Sequence, residues 1–167
     1  LYVLSSHVQI LCFTTKGKVF WLKVYEIPVA SRTSKGRPLV NMLNLDDDER
    51  VSDILPVEEF SEDKFIFMAT RKGITKKTNL SLFARKWKSG IKAINLDEDD
   101  RLIGTAITDG TNEILLASSS GKLIRFEESK VRAMGRAARG VKGMKLKKDQ
   151  KLISLNVADP SKTVLCV

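Results

Sequence analysis

Short apolar runs, each the length of a strand and each ended by Gly or by a charged cluster, recur along the chain at nearly even spacing. Gly17 separates Ile10-Leu11-Cys12-Phe13 from Val19-Phe20-Trp21-Leu22, Gly73 follows Phe65-Ile66-Phe67-Met68, and Gly121 separates Ile114-Leu115-Leu116 from Leu123-Ile124. Gly accepts the positive φ that tight hairpin turns require, so each site predicts a β-hairpin. Ten residues after each Gly stands one apolar residue, Ile27, Phe83 or Val131. A second pattern follows: Val40-Asn41-Met42-Leu43-Asn44-Leu45, Ile91-Lys92-Ala93-Ile94-Asn95-Leu96 and Val141-Lys142-Gly143-Met144-Lys145-Leu146. An apolar residue then returns at Val51, Leu102 and Leu152.

These marks describe one unit of about 50 residues and four short strands, and repeats of that length are the signature of blades in a propeller-like array. The expected fold is all-β, with blade repeats over 8–61, 62–110 and 111–158. Residues 1–7 read as the end of a preceding blade, with Tyr2-Val3-Leu4 its last strand, and 159–167 as the start of a following one, with Thr163-Val164-Leu165-Cys166-Val167 its first strand. A single blade cannot bury both faces, so neighbours must stack. Exposed strands at the two ends would invite pairing with a second chain, so an edge-strand dimer is one expected association. A local alternative exists: Asn79 to Trp87 and Glu127 to Ala138 could each form a short amphipathic helix, with Asn79 as N-cap. Gly135 and, in the first copy, Pro28 oppose it.

Composition narrows the class. With 43% hydrophobic and 29% charged residues over 167 positions, the chain suits a folded domain with a sizeable core. Its apolar runs are too short to span a membrane, and no membrane partner is expected. Cys12 and Cys166 fall at the same repeat position, two residues into a first strand, which reads as core thiols in a reducing, cytoplasmic setting.

Charge is unevenly placed. The net charge is +9; residues 1–60 carry 7 basic and 8 acidic side chains, residues 111–167 carry 12 and 5. Each copy holds an acid-free basic loop at the same point: Arg32, Lys35 and Arg37; Arg85, Lys86, Lys88 and Lys92; Arg132, Arg136, Arg139 and Lys142. In stacked blades these loops would share one rim and form a curved basic track for a long polyanion, with small residues between the charges leaving backbone N–H groups open to phosphate oxygens. Trp87 sits among Arg85, Lys86 and Lys88; it reads as a packing residue at a blade junction, with base stacking as the alternative. The acidic runs Asp46-Asp47-Asp48-Glu49 and Asp97-Glu98-Asp99-Asp100 also share a repeat position. They lack the Gly and distant Glu of a Ca²⁺ loop and read as solvated turns that could repel DNA from their side.

Catalytic material is scarce. His7 is the only histidine, no Gly-rich phosphate loop precedes a Lys-Ser/Thr pair, and neither thiol has a charged neighbour in sequence. Tyr2 and Tyr25 have no adjacent Arg or carboxylate cluster that would make either a nucleophile.

The stretches ILCFTTKGKVFWLKVYEIP, SRTSKGRPLVNML, DERVSDILPV, FMATRKGITKKT and RFEESKVRAMGRAARGVKGMKL closely resemble the C-terminal domain of the bacterial DNA gyrase A subunit, and KVYEIP followed by SKGRPLVNML favours gyrase over its topoisomerase IV relative. The resemblance implies a β-pinwheel of six strand-exchanging blades, about three of them here, whose basic perimeter wraps double-stranded DNA and gives chirality to ATP-dependent negative supercoiling. It implies a non-catalytic module of a topoisomerase, partnered by the rest of the gyrase A subunit and by the gyrase B subunit. No cofactor is expected in this domain, ATP and Mg²⁺ belonging to the holoenzyme. Carried over, Arg32, Lys35, Arg37, Arg85, Lys86, Lys88, Arg132, Arg136 and Arg139 match perimeter-loop positions. The family's glutamine-arginine-glycine-lysine box, essential for wrapping, is expected ahead of residue 1; Ser34-Lys35-Gly36-Arg37 and Ala138-Arg139-Gly140-Val141-Lys142-Gly143 only echo it. The competing function is a propeller-like scaffold whose basic rim meets an acidic protein.

Overall fold

A computed structural model describes residues 2–163. Its strands are β1 (Gln9–Thr14), β2 (Lys18–Lys23), β3 (Val51–Val57), β4 (Phe65–Thr70), β5 (Ile74–Asn79), β6 (Ile91–Lys92), β7 (Leu102–Thr108), β8 (Glu113–Ser118), β9 (Leu123–Glu127), β10 (Val141–Lys142) and β11 (Leu152–Ala158). They form three antiparallel sheets, in the orders β3-β1-β2-β6, β7-β4-β5-β10 and β11-β8-β9. The fold is therefore the all-β, blade-like array that the repeats predict.

Each hairpin closes in the same way. Gly17, Gly73 and Gly121 have φ of 74°, 83° and 75°. Their N–H groups donate to the carbonyls of Thr14, Thr70 and Ser118, and the hydroxyls of those residues accept from the N–H groups of Lys18, Ile74 and Lys122, each at 3.2 Å. A hydroxyl residue three positions before the Gly thus fixes the turn, a regularity the apolar pattern does not reveal.

The third strand of the second and third units leaves its own blade. β6, from the second repeat, pairs with β2 of the first, and β10, from the third repeat, pairs with β5 of the second. The hairpin glycine is the dock: Gly17 O accepts from Ala93 N at 2.8 Å and Ile94 N at 3.2 Å, and Gly73 O from Gly143 N at 2.8 Å and Met144 N at 3.1 Å. At the opposite edge, β7 packs against both β3 and β11, and Leu102 N and Leu152 N donate to Thr15 O and Arg71 O of the preceding blades. The first two sheets therefore each have an inner edge where blades touch and an outer edge made by an exchanged strand, while the third ends at β9 among the described residues.

Exchange also decides the core. Phe83 and Val131, the apolar residues ten positions beyond Gly73 and Gly121, plug the cores between successive sheets: Phe83 with Leu11, Phe13, Ile66 and Met68, Val131 with Phe67, Ile114 and Leu116. Ile27, their counterpart in the first repeat, is exposed, and Leu39–Met42 forms a 3-10 turn where the later repeats place β6 and β10. Neither has an earlier blade in this chain to dock on. The same reason applies to Tyr2–Leu4, expected as a strand, which has no strand conformation. The alternative helices shrink to single 3-10 turns, Leu80–Phe83, capped by the Asn79 side chain on Ser81 N, and Glu128–Lys130. Cys12 is buried, which pushes its thiol up to about 12, as a core residue should be. Cys166 and the rest of the expected next strand lie outside the described residues.

The close fit of β10 gives a test. A Cβ on Gly140 would stand 2.5 Å from Thr75 O at φ +100°, whereas one on Gly121 would meet nothing. Both Gly→Ala changes carry the left-handed cost of about 1 kcal/mol; Gly140→Ala adds a backbone clash. Urea unfolding should show Gly140→Ala losing clearly more stability, and equal losses would contradict the docking of β10 on β5.

Candidate nucleic-acid interface

Loops two and three lead into the exchanged strands β6 and β10 and so lie along the outer edge of the array, whereas loop one leads into the 3-10 turn Leu39–Met42. Loops two and three are seated on the blade before them. In loop two, Trp21 Nε1 donates to Phe83 O at 2.8 Å, and Gly90 lies against the Phe20 ring so closely that its Cβ would clash. In loop three, Met134 N donates to Lys77 O at 2.8 Å and Asn95 N to Ala138 O at 3.1 Å. Loop one, Ser31 to Pro38, is exposed throughout, and its local structure comes from hydrogen bonds among Ser31, Thr33 and Ser34.

Two lysines that the repeat pattern does not mark hold loop three. Phe20 and Lys76 occupy the same place in their hairpins, three residues beyond Gly17 and Gly73. Where Phe20 supports loop two by packing, Lys76 is fully buried and its ammonium donates to Ala93 O at 2.6 Å and to Arg136 O. Burial first, and the Arg136 guanidinium second, pull this amine down to about 8. Lys77, buried on the other face, donates to Glu128 O at 3.1 Å, lies 3.7 Å from the Glu128 carboxylate and 4.9 Å from the centre of the Phe65 ring. Glu128, also fully buried, accepts from Thr108 Oγ1, Gly110 N and Asn112 N. The sequence signal for these lysines is their place in a strand whose companions alternate between two buried faces.

The expected site residues divide into free and engaged. Arg32, Lys35, Arg37, Arg85, Lys86, Lys88, Arg132 and Lys142 are exposed on the loops and outer edge, and Arg136 is half-buried with its backbone fixed by Lys76. Arg139 is exposed but forms a two-pronged pair with Asp97, both contacts 2.5 Å, which raises the guanidinium above its ordinary value and lowers the carboxyl. The acidic runs are thus more than solvated turns. Asp46 and Asp48 pair with Lys18 and Lys16, and Glu49 is buried, accepting from Thr14 Oγ1. Trp87, expected to pack, stands 43% exposed at the meeting of the first blade with loops two and three, its ring 4.5 Å from the Arg85 guanidinium.

Strand-exchanging blades with docked perimeter loops define the β-propeller-like class known as the β-pinwheel. The family described as DNA gyrase C-terminal domain, beta-propeller, matches residues 9–58, 64–109 and 112–159, one stretch per repeat. The chain belongs to that family. It is 54% identical to the DNA gyrase A subunit of Haemophilus influenzae over 87% of its length, covering 17% of that protein. With the DNA gyrase A subunit of Salmonella typhimurium it shares 47% identity over its whole length and 19% of that protein. It therefore spans less than a fifth of these relatives. Among solved structures, the C-terminal domain of DNA topoisomerase IV superposes with a TM-score of 0.84 at 31% identity, over 93% of this chain and 49% of that one. A DNA gyrase A C-terminal domain superposes at 0.76 and 23%, over 92% of this chain and 49% of that one, which bears on fold alone. No helix among the described residues is long and apolar enough to cross a membrane.

Lys76 makes stability pH-dependent with a definite sign. Its folded value of about 8 lies below the ordinary 10.5, so between those values the unfolded chain binds more protons and stability rises with pH. The rise is at most about 1.4 kcal/mol per pH unit. In Lys76→Met it should be absent, so unfolding free energies of the two proteins compared from pH 7 to 10 should diverge. Parallel curves would show that the amine does not titrate in this window.

Proposed function

We propose that this chain is a non-catalytic DNA-binding part of a gyrase A subunit, and that its outer edge holds double-stranded DNA along a curved path. One observation carries the reading: acid-free basic loops recur at one point of all three repeats, and those of the second and third lead into the exchanged strands at the outer edges of successive sheets. Membership of the gyrase C-terminal domain family agrees with it, as do relatives named as gyrase A subunits. The remainder of the A subunit and the B subunit are the proposed protein partners, in a cytoplasmic topoisomerase whose ATP and Mg²⁺ requirements reside outside these blades.

The physical mechanism is serial phosphate neutralisation. Arg and Lys on each loop meet phosphate oxygens as the duplex crosses a blade, releasing condensed counterions and offsetting several kcal/mol of bending. Contacts of this kind fix the position of a duplex without reading its bases. Turning DNA in one sense around the edge would supply the chirality a supercoiling enzyme needs.

Two outcomes are expected. First, replacing Arg85 and Lys88 with Ala should weaken binding to all sequences alike and flatten the log–log salt slope by about 0.9 for each phosphate no longer neutralised. Asp97→Asn should do the reverse, because it frees Arg139; Arg139→Ala should then abolish that gain while changing little in the parent protein. A sequence-selective loss, or no effect of Asp97→Asn, would contradict backbone contact at this edge. Second, nicked circular DNA sealed by ligase in the presence of the protein should shift in linking number as protein is added, a positive shift marking a right-handed path. Affinity that fails to grow as the duplex lengthens across several blades would instead favour a compact protein-binding patch.

A further inference from the structure

Trp87 is the large aromatic side chain that breaks the otherwise polar basic loops, and it is held outward by the fold. Gly90 N donates to Trp87 O at 3.0 Å in a turn whose Gly90 has φ 69°, and Gly90 is itself wedged against Phe20. The turn therefore cannot fold back to bury the indole against its own blade. Beside the ring, facing loop three, lies a hollow of about 530 Å³ lined by Trp87, Ile91, Lys92, Gly135, Arg136 and Ala137. Its surface is apolar apart from the two cations, and no carboxylate lines it. The hollow on the other side of Trp87 differs, for it includes Glu26.

This combination has a chemical meaning. A purely electrostatic rim needs only cations and small residues; here an indole held outward stands beside an apolar floor flanked by two cations, a combination suited to a ligand with both an apolar face and negative charge. A nucleoside fits that requirement, since its base and sugar present apolar faces while its phosphates lie within reach of flanking cations. Every base has a π-face, so stacking on an aromatic ring is tolerant of sequence. Loop three cannot readily withdraw from the hollow, because the Lys76 ammonium fixes the Arg136 carbonyl and Asn95 N holds Ala138 O. Lys92 is fixed in the same place by the pairing of β6 with β2.

Resting on the DNA-binding reading above, we infer that the hollow between Trp87 and loop three is a nucleoside site of the bound DNA, where a base edge or deoxyribose lies on the indole while the adjoining phosphates meet Lys92 and Arg136. The interaction adds a part of the affinity that salt does not remove. It also favours duplexes whose bases unstack easily, because an inserted side chain that opens a base step must supply the unstacking energy. Trp87 is the apolar contact residue in this scheme, and Arg85, 4.5 Å from its ring, remains one of the phosphate contacts beside it.

The test uses the 167-residue chain, a duplex of about 40 base pairs, and the same duplex with one central mismatch. Trp87→Ala should lower affinity about tenfold at every salt concentration with the salt slope unchanged, and should erase a preference for the mismatched duplex that the parent protein displays; Trp87→Phe should restore most of both. DNA-induced quenching of tryptophan emission should be present in the parent protein and lost in Trp87→Phe. Trp87 is 43% exposed, so Trp87→Phe should unfold thermally as the parent does, while Trp87→Ala, which also gives up junction packing, is compared at temperatures where both are fully folded. Equal affinity of Trp87→Ala and the parent protein for both duplexes, or quenching that persists in Trp87→Phe, would overturn the inference while leaving edge binding intact. Failure of the parent protein to bind either duplex would overturn the DNA-binding reading itself.

Discussion

The carbonyl oxygen of a hairpin glycine is the point on which this structure turns. Gly17 O and Gly73 O each accept two N–H groups from the following repeat, and a side chain at either glycine would collide with the backbone it receives. Gly is needed there twice over, for its positive φ and for the close approach. From that dock follows the transfer of β6 and β10 to the preceding blade. From the transfer follows the burial of Phe83 and Val131, and with it the stacking of the sheets. A blade in this protein is not a unit of sequence but a sharing of two.

Sharing also explains why the perimeter loops differ in order although their sequences are alike in charge. A loop that leads into an exchanged strand is pinned at its far end by that strand, and along its length by the side chain three residues beyond the earlier glycine. Phe20 performs this by packing and Lys76 by hydrogen bonds, and the choice matters electrically. A buried ammonium close to Arg136 raises the local positive potential of loop three and makes its support sensitive to protonation, whereas the Phe20 ring that supports loop two has no group to titrate. Loop one has no such support in this chain and retains only its own hydroxyl hydrogen bonds. Asp97 reaches from the second repeat to Arg139 in the third, so the acidic turns adjust the charge of the basic edge directly.

Much of this is legible in the order of residues. The spacing of Gly17, Gly73 and Gly121 and the apolar runs around them determine hairpins, repeat length and fold class, because turn chemistry and strand alternation are local. The same register places the basic loops at one point of each repeat, and the resemblance to the gyrase C-terminal domain follows from contiguous residues. Arg139 shows where local reading stops. Its charge is plain in sequence, but its partner stands 42 positions away.

The sequence by itself thus determined what repeats, what turns and what is charged, for these depend on neighbours along the chain. Tertiary structure alone decided which blade each third strand completes, which apolar residues of equivalent position are buried, and which cations remain free. Ile27 and Phe83 occupy the same repeat position, yet one is exposed and the other fully buried, because only the second has a preceding blade in this chain to enter. Lys76 and Phe20 reverse the lesson: unlike in chemistry, they do the same work, because burial against the next repeat's backbone selects for contact and will accept either a ring or a hydrogen-bonded amine to make it.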